Sequence, residues 1–249
     1  MNSLLYTTES APDGVGFSLF SPVHLLILSI CILLFFLLGR IYAGASDEKR
    51  RRMLVVISVL LLLDEVVKQV LLLSTGQWEW QYLPLHLCSV DIFITLIATI
   101  FPDNKYLKEY LFGISMPAAM MAELFPSWTA LPPYSVMALH SFSVHFLLAL
   151  YPILLLSAGF RPRGRNLLPS VVCVAVYMIP IYFFNKRFDT NFMFINGGGE
   201  GNPLSFVENI VGPLYLLFIP FMVALYLSIQ YKITKVLQNR AFGVVESYS

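Results

Sequence analysis

Charge is what this sequence has least of. Only 12% of its 249 residues are Asp, Glu, Lys or Arg, where a soluble domain carries about a quarter. The shortage argues against a soluble globular protein. The net charge is +1, so no basic surface points to nucleic acid as a partner. Cysteine is also scarce. Cys31, Cys88 and Cys173 lie in separate apolar runs, with no paired spacing for a disulfide framework or a zinc ribbon. The opening "MNSLLYTTESAPDGVGFSLF" has no Lys or Arg and no short apolar core with a cleavage site. It reads as a polar lead-in rather than a secretory signal. No internal repeat is visible.

Apolar residues make up 57% of the chain, in runs of the length that crosses a bilayer, about 18 residues or more. The fold expected is all-α: one polytopic membrane domain over residues 1–249, built from seven spans. These are Pro22–Tyr42, Met53–Thr75, Pro84–Phe101, Lys108–Phe125, Ser135–Ala158, Leu168–Asn185 and Ile210–Tyr231. Turn-forming stretches such as "AGASDEKRRR", "PSWTALPPY" and "NGGGEGNP" separate them. Alternate loops carry the cations: Lys49 to Arg52, then Lys105 with Lys108, then Arg161, Arg163 and Arg165, then the tail with Lys232, Lys235 and Arg240. The opposite loops hold only Lys186 and Arg187. Positive charge stays on the cytoplasmic side, which puts the N-terminus outside and the C-terminus in the cytoplasm of a cell membrane.

Ionisable residues inside spans are costly and usually face a protein interior or a cavity. Here they are Asp64, Glu65 and Lys68 in span two, Asp91 in span three, Glu123 in span four, and His140 and His145 in span five. Most fall in the outer half of the membrane, which suggests a cavity there. Several have plain structural readings. Asp64 and Lys68 are spaced i,i+4 and neutralise each other as a helix-face pair. Glu65 and Glu123 snorkel or accept hydrogen bonds between helices. His24 and His86 sit at membrane interfaces. Cys31 and Cys173 behave as small core hydrophobes.

Cys88 stands apart. It follows the turn "PLHLC" at the wet end of span three, about 6 Å below the start at Pro84 by helical rise. A thiol becomes a nucleophile when a base or a positive field generates thiolate. Two histidines of span five lie at reachable depth, about 140° apart around their helix. Depth slightly favours His140 as the partner.

The stretches "LPLHLCS", "HSFSVH", "TNFMFINGGGEGNPLS" and "GPLY" resemble the YwaF-type integral membrane proteins of bacteria. More distantly, the sequence is similar to the eukaryotic acyltransferases that remodel ether phospholipids, and to the androgen-induced membrane hydrolases. That resemblance implies Cys88 as nucleophile and His145, seven residues before Pro152, as base. It implies a membrane phospholipid as substrate partner. The eukaryotic sequences lack the His86 found here.

The expectation is therefore an intramembrane lipid acyltransferase or acyl-ester hydrolase using Cys88 and His145. His140 is the second candidate base. Asp91 or Glu123 would orient the imidazole, Asn191 or Lys68 would supply oxyanion donors, and His86 borders the site. No cofactor or metal is called for. A non-catalytic transporter or receptor is the alternative, although no repeat supports a transporter. A seven-span metal hydrolase is the second alternative, with His86, His140, His145, Asp91 and Cys88 as possible ligands. It would lack the paired histidines expected in the last span.

Overall fold

In a computed structural model, residues 3–199 and 203–242 are described. The chain ends, whose sides the charge pattern assigns, and the centre of "NGGGEGNP" lie outside them. The described elements are helical. They run α1 Pro22–Ala43, α2 Asp47–Ser74, α3 Leu87–Ile100, α4 Lys105–Tyr110, α5 Met116–Leu124, α6 Val136–Ser157, α7 Leu168–Phe188, α8 Pro203–Val211 and α9 Tyr215–Phe242. Among the described residues, five helical stretches are long and apolar enough to cross a membrane: Pro22–Ala43, Trp80–Ile100, Val136–Ser157, Gly164–Phe188 and Leu204–Asn239. The protein is a multi-pass helical bundle of the cell membrane.

Helix α6 is the axis of that bundle. Half of its most apolar stretch is buried inside the protein, against 17% for α1 and 6% for the last span. It packs directly on α1, α2, α3 and α5. Leu148, Leu154 and Tyr151 of α6 meet Leu61 of α2, Ile92 of α3, and Leu111 and Phe112 in one buried cluster. The outer helices turn Ile32, Phe36, Val70, Phe183, Leu217 and Phe221 away from it. Such residues face acyl chains, which are as apolar as the side chains themselves.

Contacts sort the loops into two groups. At one end the Phe17 amide donates to the Thr129 carbonyl at 2.9 Å. Gln77 donates to the Leu5 carbonyl at 3.2 Å, and the Trp80 ring packs 4.4 Å from that of Phe188. At the other end Arg50 Nε donates to the Tyr42 carbonyl at 3.0 Å. There the Arg163 amide donates to Glu109 at 2.9 Å and Gln238 donates to the Phe160 carbonyl at 2.6 Å.

The expected span from Lys108 to Phe125 is not one regular helix. Leu111–Ser115 form a π-helical turn between α4 and α5. Pro117, in the first turn of α5, has no N–H to donate back, so the ladder widens ahead of it. The Phe112 carbonyl instead accepts from Gln230 Nε2 of α9 at 2.8 Å. The same turn needs Gly113: a Cβ there would sit 2.7 Å from Leu167 Cδ1. The last expected span also differs. Gly212, at φ 61, and Pro213 break it into α8 and α9. Helix α2 begins at Asp47, six residues before the expected start, because Ser46 caps it by accepting from the Lys49 amide.

Candidate functional site

Two polar regions occupy the middle of the bundle. The first joins α2 to α6. His140 Nδ1 lies 3.0 Å from Asp64 Oδ1, and Ser143 Oγ donates to the other Asp64 oxygen. Lys68 Nζ is 2.8 Å from Glu65 Oε1, and Gln69 Nε2 donates to the same oxygen at 2.8 Å. His140 Nε2 is 3.8 Å from Glu65 Oε2. Glu65 and Lys68 are buried. The i,i+4 pairing of Asp64 with Lys68 is thus corrected. Lys68 pairs with Glu65 at i,i+3, while Asp64 reaches across to α6. His140 is held to Asp64 through Nδ1, with its Nε2 3.8 Å from Glu65, and Lys68 is held by Glu65.

The second region lies at the N-terminus of α3. The helix starts at Leu87 rather than Pro84, with His86 as its cap residue. Cys88 is therefore in the first turn, not about 6 Å down the helix as a start at Pro84 would place it. The first intrahelical bond runs from the Val90 amide to the His86 carbonyl. The amides of Leu87, Cys88 and Ser89 have no intrahelical acceptor, and the positive end of the helix dipole falls beside the thiol. Cys88 is half-buried and packs against the main core.

His145 is on α6, which packs on α3. Its Nδ1 is 2.6 Å from the Ser141 carbonyl. A carbonyl only accepts, so the hydrogen sits on Nδ1 and Nε2 of the neutral ring keeps its lone pair. The ring lies flat on Trp128, with centroids 5.2 Å apart and planes 10° apart. Trp128 belongs to "PSWTALPPY", read from the sequence as loop, yet it is only 9% exposed. Among the described residues, no hydrogen bond joins the Cys88 thiol to His140 or His145.

His86 sits at the N-terminal end of α3 and is half-buried. Its Nδ1 accepts from the Met193 amide at 3.3 Å, and its ring packs against Phe192 and Phe194 at 5.0 and 5.6 Å. The turn that caps it is unusual: Met193 and Phe194 both have φ near +55 to +60°, a left-handed region that non-glycine residues avoid. Asn185, 1% exposed, holds that turn. Its Oδ1 accepts from the Phe192 amide and from Thr190 Oγ1, and its Nδ2 donates to the Phe192 carbonyl. Sequence spacing gave no sign of this brace.

The supporting residues fall elsewhere. Asp91 is fully buried and accepts from Tyr110 Oη at 2.5 Å; it orients no imidazole. Asn191 is engaged within its own loop, accepting from the Asn196 amide and donating to the Gly197 carbonyl. Glu123 is 5% exposed, with both carboxyl oxygens unpartnered, and its backbone carbonyl receives His24 Nε2 at 2.9 Å. His24 is fully buried rather than interfacial, and accepts from the Phe20 amide at 3.0 Å through Nδ1. Among the described residues, no three His, Cys, Asp or Glu side chains gather into a metal-holding group.

No curated protein and no solved structure matches the chain. A family model matches residues 19–231, which takes in α1 through most of the last span. This match overturns the resemblance drawn from short motifs, both the YwaF-type membership and the acyltransferase label attached to it: the chain belongs to the TMEM164 family.

Proposed function

We propose that the protein is a cysteine-dependent hydrolase of membrane-lipid acyl esters, with Cys88 as nucleophile and His145 as general base. The observation that carries this reading is the Ser141 carbonyl on His145 Nδ1. It leaves a basic Nε2 on a helix packed against the one that opens at Cys88. His140, whose Nδ1 is paired with Asp64, is the second candidate base. Cys88 Sγ attacks the ester carbonyl carbon while His145 Nε2 takes the thiol proton. The C–O ester bond breaks, and the proton passes to the departing alcohol. Water then attacks the thioester, the C–S bond breaks, a fatty acid leaves, and the thiol regains its hydrogen through His145.

The chain crosses the membrane seven times in this reading, with α2 and the α4–α5 rod added to the five strongly apolar stretches. The site faces the outer leaflet, where phospholipid esters lie just below the headgroups. The loop contacts at each end and the one-sided Lys and Arg distribution support this orientation. Thiol labelling of single-cysteine variants in intact cells tests it: position 78 labels from outside and position 163 does not.

The activity test is purified protein with a defined phospholipid, read by fatty-acid release. Release is expected from the wild type and absent in Cys88→Ala and His145→Ala. A second reading, a non-catalytic carrier or lipid receptor, draws on the unpartnered buried carboxyl of Glu123. Phospholipid bound but never cleaved would favour it.

A further inference from the structure

Two imidazoles, His86 at the start of α3 and His145 on α6, are fixed by the backbone in opposite tautomers. The Met193 amide is a donor only, so His86 Nδ1 must accept and the ring's hydrogen must sit on Nε2. The Ser141 carbonyl is an acceptor only, so His145 has its hydrogen on Nδ1. Each assignment follows from the donor or acceptor character of the backbone group that Nδ1 meets. One ring therefore offers a hydrogen from Nε2, and the other offers a lone pair from the same atom. His86 is two positions from Cys88, across the start of α3, and His145 lies on α6, which packs against α3. Among the described residues, His86 Nε2–H has no hydrogen-bond acceptor. The machinery that holds it is considerable for a residue with no partner on that side. Two consecutive left-handed residues, an Asn185 brace and two phenylalanine rings fix the imidazole in place.

We propose that His86 is the oxyanion donor of the site. This rests on the hydrolase reading of Cys88 and His145. When Sγ bonds to the ester carbonyl carbon, the C=O electron pair moves onto oxygen, and His86 Nε2–H donates to that oxygen. When the intermediate collapses, the pair returns to re-form C=O as the alkoxide departs with the proton held by His145. His86 keeps its own hydrogen throughout. A preorganised donor of this kind acts where charge develops and does not reorganise during the step. It also fills the role that Asn191 and Lys68, engaged elsewhere, leave open.

Two measurements test this. The first is ¹⁵N NMR of histidine-labelled wild-type protein, with signals assigned by single His substitutions. It should show His86 neutral with hydrogen on Nε2 and His145 neutral with hydrogen on Nδ1. A His86 hydrogen on Nδ1, or a His86 imidazolium at neutral pH, overturns the proposal. The second compares ester hydrolysis with alkylation of Cys88 by a long-chain iodoacetamide. Alkylation needs thiolate but builds no oxyanion. His86→Phe keeps a ring between Phe192 and Phe194 and removes the donor. It should lower kcat for hydrolysis by about 10²–10³-fold, the loss typical of one oxyanion donor. KM and the alkylation rate should hold, and His86→Gln should restore part of kcat. Equal loss of both reactions in His86→Phe would make His86 a structural residue and sink the proposal. Hydrolysis that needs Cys88 and His145 but is unchanged in His86→Phe would overturn this inference alone. A wild-type chain that releases no fatty acid would remove the hydrolase reading and this one with it.

Discussion

The two polar regions of the bundle use the same residue types to opposite ends. Between α2 and α6, Asp64, Glu65, Lys68, His140 and Ser143 engage one another. At the start of α3, the Cys88 thiol, His86 Nε2 and His145 Nε2 are left with capacity to spare, while their other atoms are fastened to backbone. Both regions place ionisable groups in a membrane, where each charge is costly. The lesson is that the presence of such groups does not mark a site. In the reading proposed above, the α3 region is set apart by two imidazoles held by backbone at Nδ1 with Nε2 left over.

Substitutions should separate the two regions. The largest effects on activity belong to the α3 region. Cys88→Ala should reduce fatty-acid release to background, and His145→Ala should lower it by about 10²–10⁴-fold, both with little change in unfolding midpoint. A large stability loss in either variant would erase the distinction. The largest effects on stability belong to the α2–α6 region. Lys68→Ala strands Glu65 in a buried position and should cost about 3–5 kcal/mol. Adding Glu65→Gln should recover part of that in an unfolding titration, while adding Asp64→Asn should not. Rescue by Asp64→Asn would restore the i,i+4 pair that the geometry replaces. His140→Asn should cost about 1–3 kcal/mol by leaving buried acceptors unmet, yet leave hydrolysis intact. Loss of hydrolysis at unchanged stability would make His140 the base.

A smaller and more local effect is expected at the brace. Asn185→Ala removes three hydrogen bonds around residues 190–192. Amide exchange should rise over residues 189–194 while the core helices keep their protection. Hydrolysis should fall because His86 loses its seat. Exchange that rises throughout the bundle would make Asn185 a general packing residue instead.

Much of the bundle was legible in the sequence because a bilayer imposes length and apolarity on every crossing. The α1, α6 and α7 ends fall within a few residues of the runs that mark them. The π-turn at Leu111–Ser115 was not legible, since Pro117 alone does not say whether a helix kinks, widens or stops. The split of the last span was not read either, although "VGPL" carried the signal in Gly212 and Pro213. At the site, Cys88 and the two candidate bases could be named from depth and spacing. Choosing between the bases could not be done that way. It depends on partners distant in sequence, Asp64 for His140 and Trp128 for His145, and on which backbone atom each ring meets. His86 was read as cheap interfacial polarity because its partner, the Met193 amide, belongs to a turn of left-handed residues that nothing in "TNFMF" announces.

Covalent chemistry at Cys88 can be read directly by mass. Purified protein is incubated with a phospholipid of defined acyl chains, quenched in acid within seconds and measured intact, with Cys88→Ala in parallel. An acyl thioester would appear as one added fatty acid, less water, on the wild type and localised to Cys88 by fragmentation. It should accumulate when His145→Gln slows the water step more than the first attack, and hydroxylamine at neutral pH should remove it. An unmodified wild-type mass under conditions where the lipid is hydrolysed, or an acyl group on a residue other than Cys88, would contradict the assignment.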